Sequence, residues 1–167
     1  MLRAAPVIAI LLATTPAWAS VGENSILAGL SYDQVIRTGS VPVHGLGVRL
    51  AYRRAVADDW NVFAAASYAG LLGPRGRSDL GSVVAGAAYV IDVATWVPEV
   101  YAAVGWFGSV ATRTWREDFG VLGGGGLEYR RWRAFGVGAR VEYRWMVRNR
   151  DATPGALSVA LYFAHYF

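Results

Sequence analysis

The chain has 167 residues, 16 basic and 12 acidic, and a formal net charge of +4; every basic residue is Arg and there is no Cys. That excludes a disulfide-stapled framework and a strongly basic nucleic-acid binder. Mean hydropathy is high, +0.31. Beyond the leader described next, no apolar run reaches transmembrane-helix length; Gly81 to Ile91 comes nearest and stops at Asp92.

The chain opens MLRAAPVIAILLATTPAWAS. Arg3 supplies a positive start, Val7 to Ala13 an apolar middle, and Ala17-Trp18-Ala19 a small-x-small cleavage site. This reads as a secretory signal peptide over residues 1–19, leaving 20–167 as one domain. Without Arg3, fifteen Arg face twelve acids, an excess of three.

Eight strand-like segments follow, at 25–34, 43–53, 60–70, 82–92, 97–108, 119–130, 133–146 and 156–167. Each has about the 9–11 residues a tilted membrane strand needs, or slightly more. They are rich in Val, Tyr, Trp, Phe and Gly and alternate at period two. The spacing predicts short turns at 54–59, 93–96 and 131–132, and longer loops at 35–42, 71–81, 109–118 and 147–155. With eight strands both ends fall on the short-turn side.

One parity of each strand is apolar: Leu46, Val48, Leu50 and Tyr52 in the second, Phe135, Val137, Ala139, Val141, Tyr143 and Trp145 in the seventh. Aromatics on this parity gather at strand ends. Tyr52, Trp60, Tyr89, Trp96, Tyr129, Phe135 and Phe167 lie toward the short turns; Tyr32, Tyr68, Trp106, Phe119, Tyr143 and Trp145 lie toward the loops. Two aromatic girdles around an aliphatic middle fit a surface held between two headgroup layers. The other parity carries Arg49, Arg53, Glu99, Glu128, Arg140, Glu142 and Arg144. An Arg facing lipid at mid-depth costs about 2–4 kcal/mol, so this face turns inward. The expectation is an all-β, eight-stranded antiparallel up-and-down transmembrane β-barrel. Its charges pair and close the interior, Arg140 with Glu142 and Glu99 and Glu128 near Arg53, rather than line a pore.

The terminal ALSVALYFAHYF alternates Val159, Leu161 and Phe163 and ends on Phe167. It resembles the C-terminal assembly signal of bacterial outer-membrane proteins, carried by Phe163 and Phe167, with His165 as the departure. With the leader and the eight segments, the chain resembles the small eight-stranded outer-membrane barrels of the OmpA/OmpX-like class. The resemblance implies a monomer in the outer membrane of a Gram-negative cell, delivered to the barrel-assembly machinery.

The long loops carry Arg75, Arg77, Arg113, Arg116, Arg148 and Arg150. They are candidate contacts for lipopolysaccharide phosphates or an external partner, since the guanidinium fork pairs phosphate oxygens bidentately. No metal-ligand spacing and no cofactor motif is present. Gly123 to Gly126 sits within a strand, where it makes room for bulky neighbours such as Arg140 or Tyr162 instead of cradling phosphate. An enzymatic site would need Ser, His and acid together. His44 near Ser40 is the only opening for one, because Asp33 faces the other way and His165 lies at the far end. The expected role is therefore structural or surface interaction without catalysis. A lipid A acylase or deacylase is the alternative; a small pore or a soluble lipocalin-like carrier ranks behind it.

Overall fold

A computed structural model describes residues 21–36, 42–73, 76–91, 95–111, 114–147 and 155–167. The leader read over 1–19 lies outside the described residues. The strands are β1 (Asn24–Ile36), β2 (Val43–Ala57), β3 (Trp60–Gly73), β4 (Gly76–Val90), β5 (Trp96–Ala111), β6 (Thr114–Trp132), β7 (Phe135–Met146) and β8 (Gly155–Tyr166). Each pairs antiparallel with its sequence neighbours, and β1 pairs β8 from Ser25↔Tyr166 to Ile36↔Gly155. The sheet thus closes into a barrel with no edge. Closure leaves no strand with an unpaired edge, which hydrocarbon surroundings require.

Alternation sets the two faces. In β2, residues 44, 46, 48, 50, 52 and 54 are exposed or partly so, while Arg49, Ala51, Arg53 and Ala55 are buried. Leu46, Leu30 and Leu161 are 74%, 69% and 68% exposed. That much bare aliphatic surface is tolerable only against an apolar solvent. Aromatics bracket it. Trp60–Tyr89 and Trp96–Tyr129 pair across strands at the short-turn end, with centroids 5.4 and 4.8 Å apart. At the other end Tyr143 meets Trp145 at 4.6 Å. Trp96 and Trp106 both face outward on β5. At about 3.3 Å per residue and a tilt of about 40°, the strand between them rises about 25 Å, the height of a membrane barrel's apolar band.

The connections differ from the expected lengths. On the short side β2 runs further than read, leaving 58–59 as the turn, β4 stops at Val90 short of the expected 92, and the turn expected at 131–132 falls at 133–134, with Arg131 and Trp132 in β6. On the other side only two residues join β3 to β4, and two join β5 to β6. The polar, Gly- and Pro-bearing stretches 71–81 and 109–118 read as loops, yet most of them are ladder. Pairing continues to Gly73↔Gly76 and to Ala111↔Thr114. Leu71 and Leu80 keep the alternation going, packing inward with Val35, Val43, Ala69 and Ala156. Strands β3 to β6 therefore stand above the outer girdle as a four-stranded wall, with Ser78↔Ala111 joining its two hairpins.

Replacing Leu50 by Arg should destabilise the barrel in bilayers by about 2–4 kcal/mol, since Leu50 is 58% exposed on the apolar face. Equilibrium urea unfolding from lipid vesicles measures this.

Candidate functional sites: the lumen and the outer rim

The inward parity of β1, β2 and β5 to β7 brings charges into one interior, β8 adds the tyrosines Tyr162 and Tyr166, and β3 and β4 face them with Phe63, Ala65, Val84 and Ala88. The charges form two tiers. In the lower tier Arg53 Nη1 donates to Glu99 at 2.9 Å. Its Nη2 donates to Glu128 at 3.2 Å and to the Tyr166 hydroxyl at 2.5 Å. Its Nε donates to Ser25 at 3.2 Å. Tyr166 passes its own proton toward Glu128, and the Tyr162 hydroxyl donates to the same carboxylate at 3.2 Å. Arg130 Nη2 donates to Glu23 at 2.7 Å, its guanidinium stacked 3.6 Å from the Tyr166 ring centre. Arg140 Nη2 donates to Glu99 at 2.7 Å, with its cation 4.5 Å from the Tyr162 ring centre.

In the upper tier Arg49 pairs with Glu142. Arg144 donates to Glu142 through Nη2 at 2.8 Å and Nε at 3.1 Å, and meets Asp33 at 3.2 Å. Ser31 donates to Asp33 at 2.6 Å, and Tyr101 to Glu142 at 3.3 Å.

Among the described residues these two tiers set five guanidinium groups against five carboxylates. Balanced, multiply hydrogen-bonded charges are the arrangement in which buried ions are tolerated. The voids beside them measure about 10 to 20 Å³, roughly one water each. Side chains fill this lumen.

All seven residues expected in the lumen, Arg49, Arg53, Glu99, Glu128, Arg140, Glu142 and Arg144, are buried there. One expected pairing is different. Arg140 reaches Glu99 on β5, and Glu142 instead takes Arg49 from β2 and Arg144 from its own strand. Closure of the ring brings strands β2 and β5 within reach, so Arg140 and Arg49 find their partners across the lumen while Arg144 pairs along its own strand. Arg130, Glu23, Tyr101 and Tyr166 are members that the sequence does not single out; Tyr162, expected beside Arg140 as a bulky neighbour of the glycines, joins them. Arg130 shares the parity of Glu128, and that alone could have found it.

The glycines make the network fit. Gly124 faces inward, and a Cβ there would lie 2.8 Å from the Tyr101 ring. Gly126 borders Glu99 and Arg140, while Tyr162 rests on Gly138 rather than on the glycine run.

At the outer rim Arg77 is exposed on β4 and sits 3.4 Å from Asp79. Arg116 is exposed on β6. Arg75, Arg113, Arg148 and Arg150 lie outside the described residues, as does Ser40. His44 faces outward and its Nδ1 shares a 2.7 Å hydrogen bond with the Tyr32 hydroxyl. Asp33 is on the opposite face with Arg144, so it cannot orient this imidazole. His165 faces outward at the short-turn end, where its ring lies 5.0 Å from Phe135 and 5.9 Å from Phe167. Phe163 and Phe167 are 47% and 61% exposed on the same outer face. No cluster of three or more metal-ligating side chains occurs among the described residues.

No family model and no curated protein matches the chain. Solved structures do. Neisserial surface protein A superposes with a TM-score of 0.77 at 13% identity, covering 87% of this chain and 99% of that one. The attachment invasion locus protein Ail of Yersinia pestis gives 0.63 at 20% identity, covering 89% and 100%. Ail has also been solved with the heparin analogue sucrose octasulfate. The outer membrane enzyme PagL gives 0.51 at 17% identity, covering 82% and 98%. At these identities the likeness is one of fold.

Replacing Glu142 by Ala strands Arg49 and Arg144 without their shared acceptor, and should cost about 3–5 kcal/mol. Replacing the exposed Arg77 by Ala should leave stability unchanged. Thermal unfolding in detergent, read by loss of heat-modifiable gel migration, distinguishes the two.

Proposed function

We propose, for a chain with the fold of the small eight-stranded outer-membrane barrels, that it resides in the outer membrane as a non-catalytic surface protein. In this reading the barrel anchors, and the wall built by β3 to β6 makes the contacts. The partner is anionic: the phosphates of lipopolysaccharide beside the barrel, or a polyanion outside the cell. The observation that carries this is the wall itself, standing above the outer girdle with Arg77 and Arg116 exposed on it. Arg75 and Arg113 belong to the same two hairpin tips by sequence. Guanidinium groups at headgroup height and just above it suit phosphate and sulfate oxygens. The complex of Ail with a heparin analogue, on the same fold, supports the polyanion reading. The filled lumen argues against a pore, and the outward apolar belt argues against a soluble carrier. The chain acts as a monomer, and its Phe163 and Phe167 present the assembly signal to the barrel-assembly machinery.

The rival is lipid A modification, favoured by the outward Tyr32–His44 pair at outer-leaflet height and by the fold shared with PagL. It would need a nucleophile beside His44 and a carboxylate behind it, and Asp33 is turned away.

The R75Q/R77Q/R113Q/R116Q variant should bind lipopolysaccharide about tenfold or more weakly than the parent, since each basic residue near an anionic surface contributes about 1 kcal/mol. Unchanged binding in surface plasmon resonance would remove the polyanion reading. Fatty acid released from purified lipid A by the parent protein would replace it with the enzymatic one.

A further inference from the structure

The short-turn end carries a feature that this surface role does not use. Between Tyr129↔Val137 and Trp132↔Phe135 the register of β6 shifts, two residues of β6 facing one of β7. Such a bulge re-aims side chains. Here it leaves Arg130 buried in the lumen on Glu23 and turns both Arg131 and Trp132 outward. Arg133, in the turn that follows, is exposed as well, although it also interacts within the protein. Trp132 is 59% exposed. Beside it stand Phe135, 42% exposed, and His165, whose Nδ1 is 3.2 Å from the carbonyl of Ala134 in the same turn.

We infer that this corner, Arg131-Trp132-Arg133 with His165, is a seat for the headgroup of an anionic phospholipid in the periplasmic leaflet. Depth is the first argument. Arg131 is two residues beyond Tyr129 and next to the Trp132–Phe135 pair, at the outer margin of the lower girdle, where a side chain of its length reaches phosphate level. Charge is the second. The exposed acidic side chains described on this rim are Asp58 and Asp59 in the β2–β3 turn, on the opposite side of the barrel. A lone cationic rim could hold any anion. The exposed indole and phenyl rings between the cations select one that brings acyl chains with it. In the complex the guanidinium fork takes the phosphodiester oxygens, the indole N–H meets the glycerol region, and the rings pack on the first methylenes.

The inference rests on the membrane reading above, and the experiment separates the two. The folded protein is placed in mixed micelles with equal phosphatidylglycerol and phosphatidylethanolamine, and retained lipid is counted by native mass spectrometry. The parent should retain phosphatidylglycerol preferentially. R131Q/R133Q should lose about tenfold or more of that preference, and R131Q alone about fivefold. R54Q, an exposed Arg on the same rim but across the barrel, should stay within about twofold of the parent. Equal retention of both lipids, or an equal loss in R54Q, overturns the seat while heat-modifiable migration shows the barrel intact. Unchanged retention with slower insertion by the assembly machinery gives the corner to a protein partner and overturns it too. A chain that extracts without detergent overturns the membrane reading itself.

Discussion

Hydrocarbon offers no hydrogen bonds, and everything else in this molecule follows from that constraint. A strand in such a solvent must pair on both sides, so the sheet has to close, and β1 against β8 is the closing seam. Closure at eight strands then fixes the radius. The interior is too narrow for a channel and too wide to be left to small residues alone. The sequence fills it with large cations, large anions and the rings of Phe63, Tyr101, Phe107, Tyr162 and Tyr166 where a soluble protein would put Leu and Ile. The outward parity carries Leu and Val in the middle and rings at the two ends because lipid, not protein, packs against it.

The interior is a layered solid. Apolar residues at the top, Val35, Val43, Leu71 and Leu80, cap a tier around Glu142; beneath them a second tier surrounds Glu99 and Glu128. Tyrosines link charge to charge, each offering a ring to a guanidinium and a hydroxyl to a carboxylate, as Tyr166 does between Arg130 and Glu128. Their bulk is accommodated by glycine on the facing or neighbouring strand, Gly124 for Tyr101 and Gly138 for Tyr162. High glycine content in these strands is thus the counterpart of the tyrosines and arginines, and not a sign of looseness.

The strands were legible because a one-residue change of phase would have put Arg49 or Glu142 into lipid. Nothing so costly marks where a strand stops. Stretches such as LLGPRGRSDLG read as loop from composition, yet the ladder runs through most of it, because backbone pairing continues above the membrane and only Leu71 and Leu80 keep the inward parity apolar among polar and Gly residues. In the lumen, parity located the charges but not their partners. Arg53 and Glu99 are on strands that only the barrel's curvature brings together. Tyr101 and Tyr166 were hidden by chemistry, since a tyrosine suits an interfacial belt as well as a charged interior. The bulge at Arg130 and Arg131 was invisible in sequence, because a run of arginines and a tryptophan gives alternation nothing to register against.

The ion pairs of the lumen join residues remote along the chain: Arg49 to Glu142 across 93 positions, Arg53 to Glu128 across 75, Arg130 to Glu23 across 107. A half-built sheet of β1 to β4 would hold Arg49 and Arg53 without Glu142, Glu99 and Glu128, and Glu23 and Asp33 without Arg130 and Arg144. No intermediate on the way is electrically whole. Insertion and ring closure are therefore one cooperative event, in which the later strands β5 to β7 neutralise β1 and β2, and β8 seals the ring with Tyr162 and Tyr166.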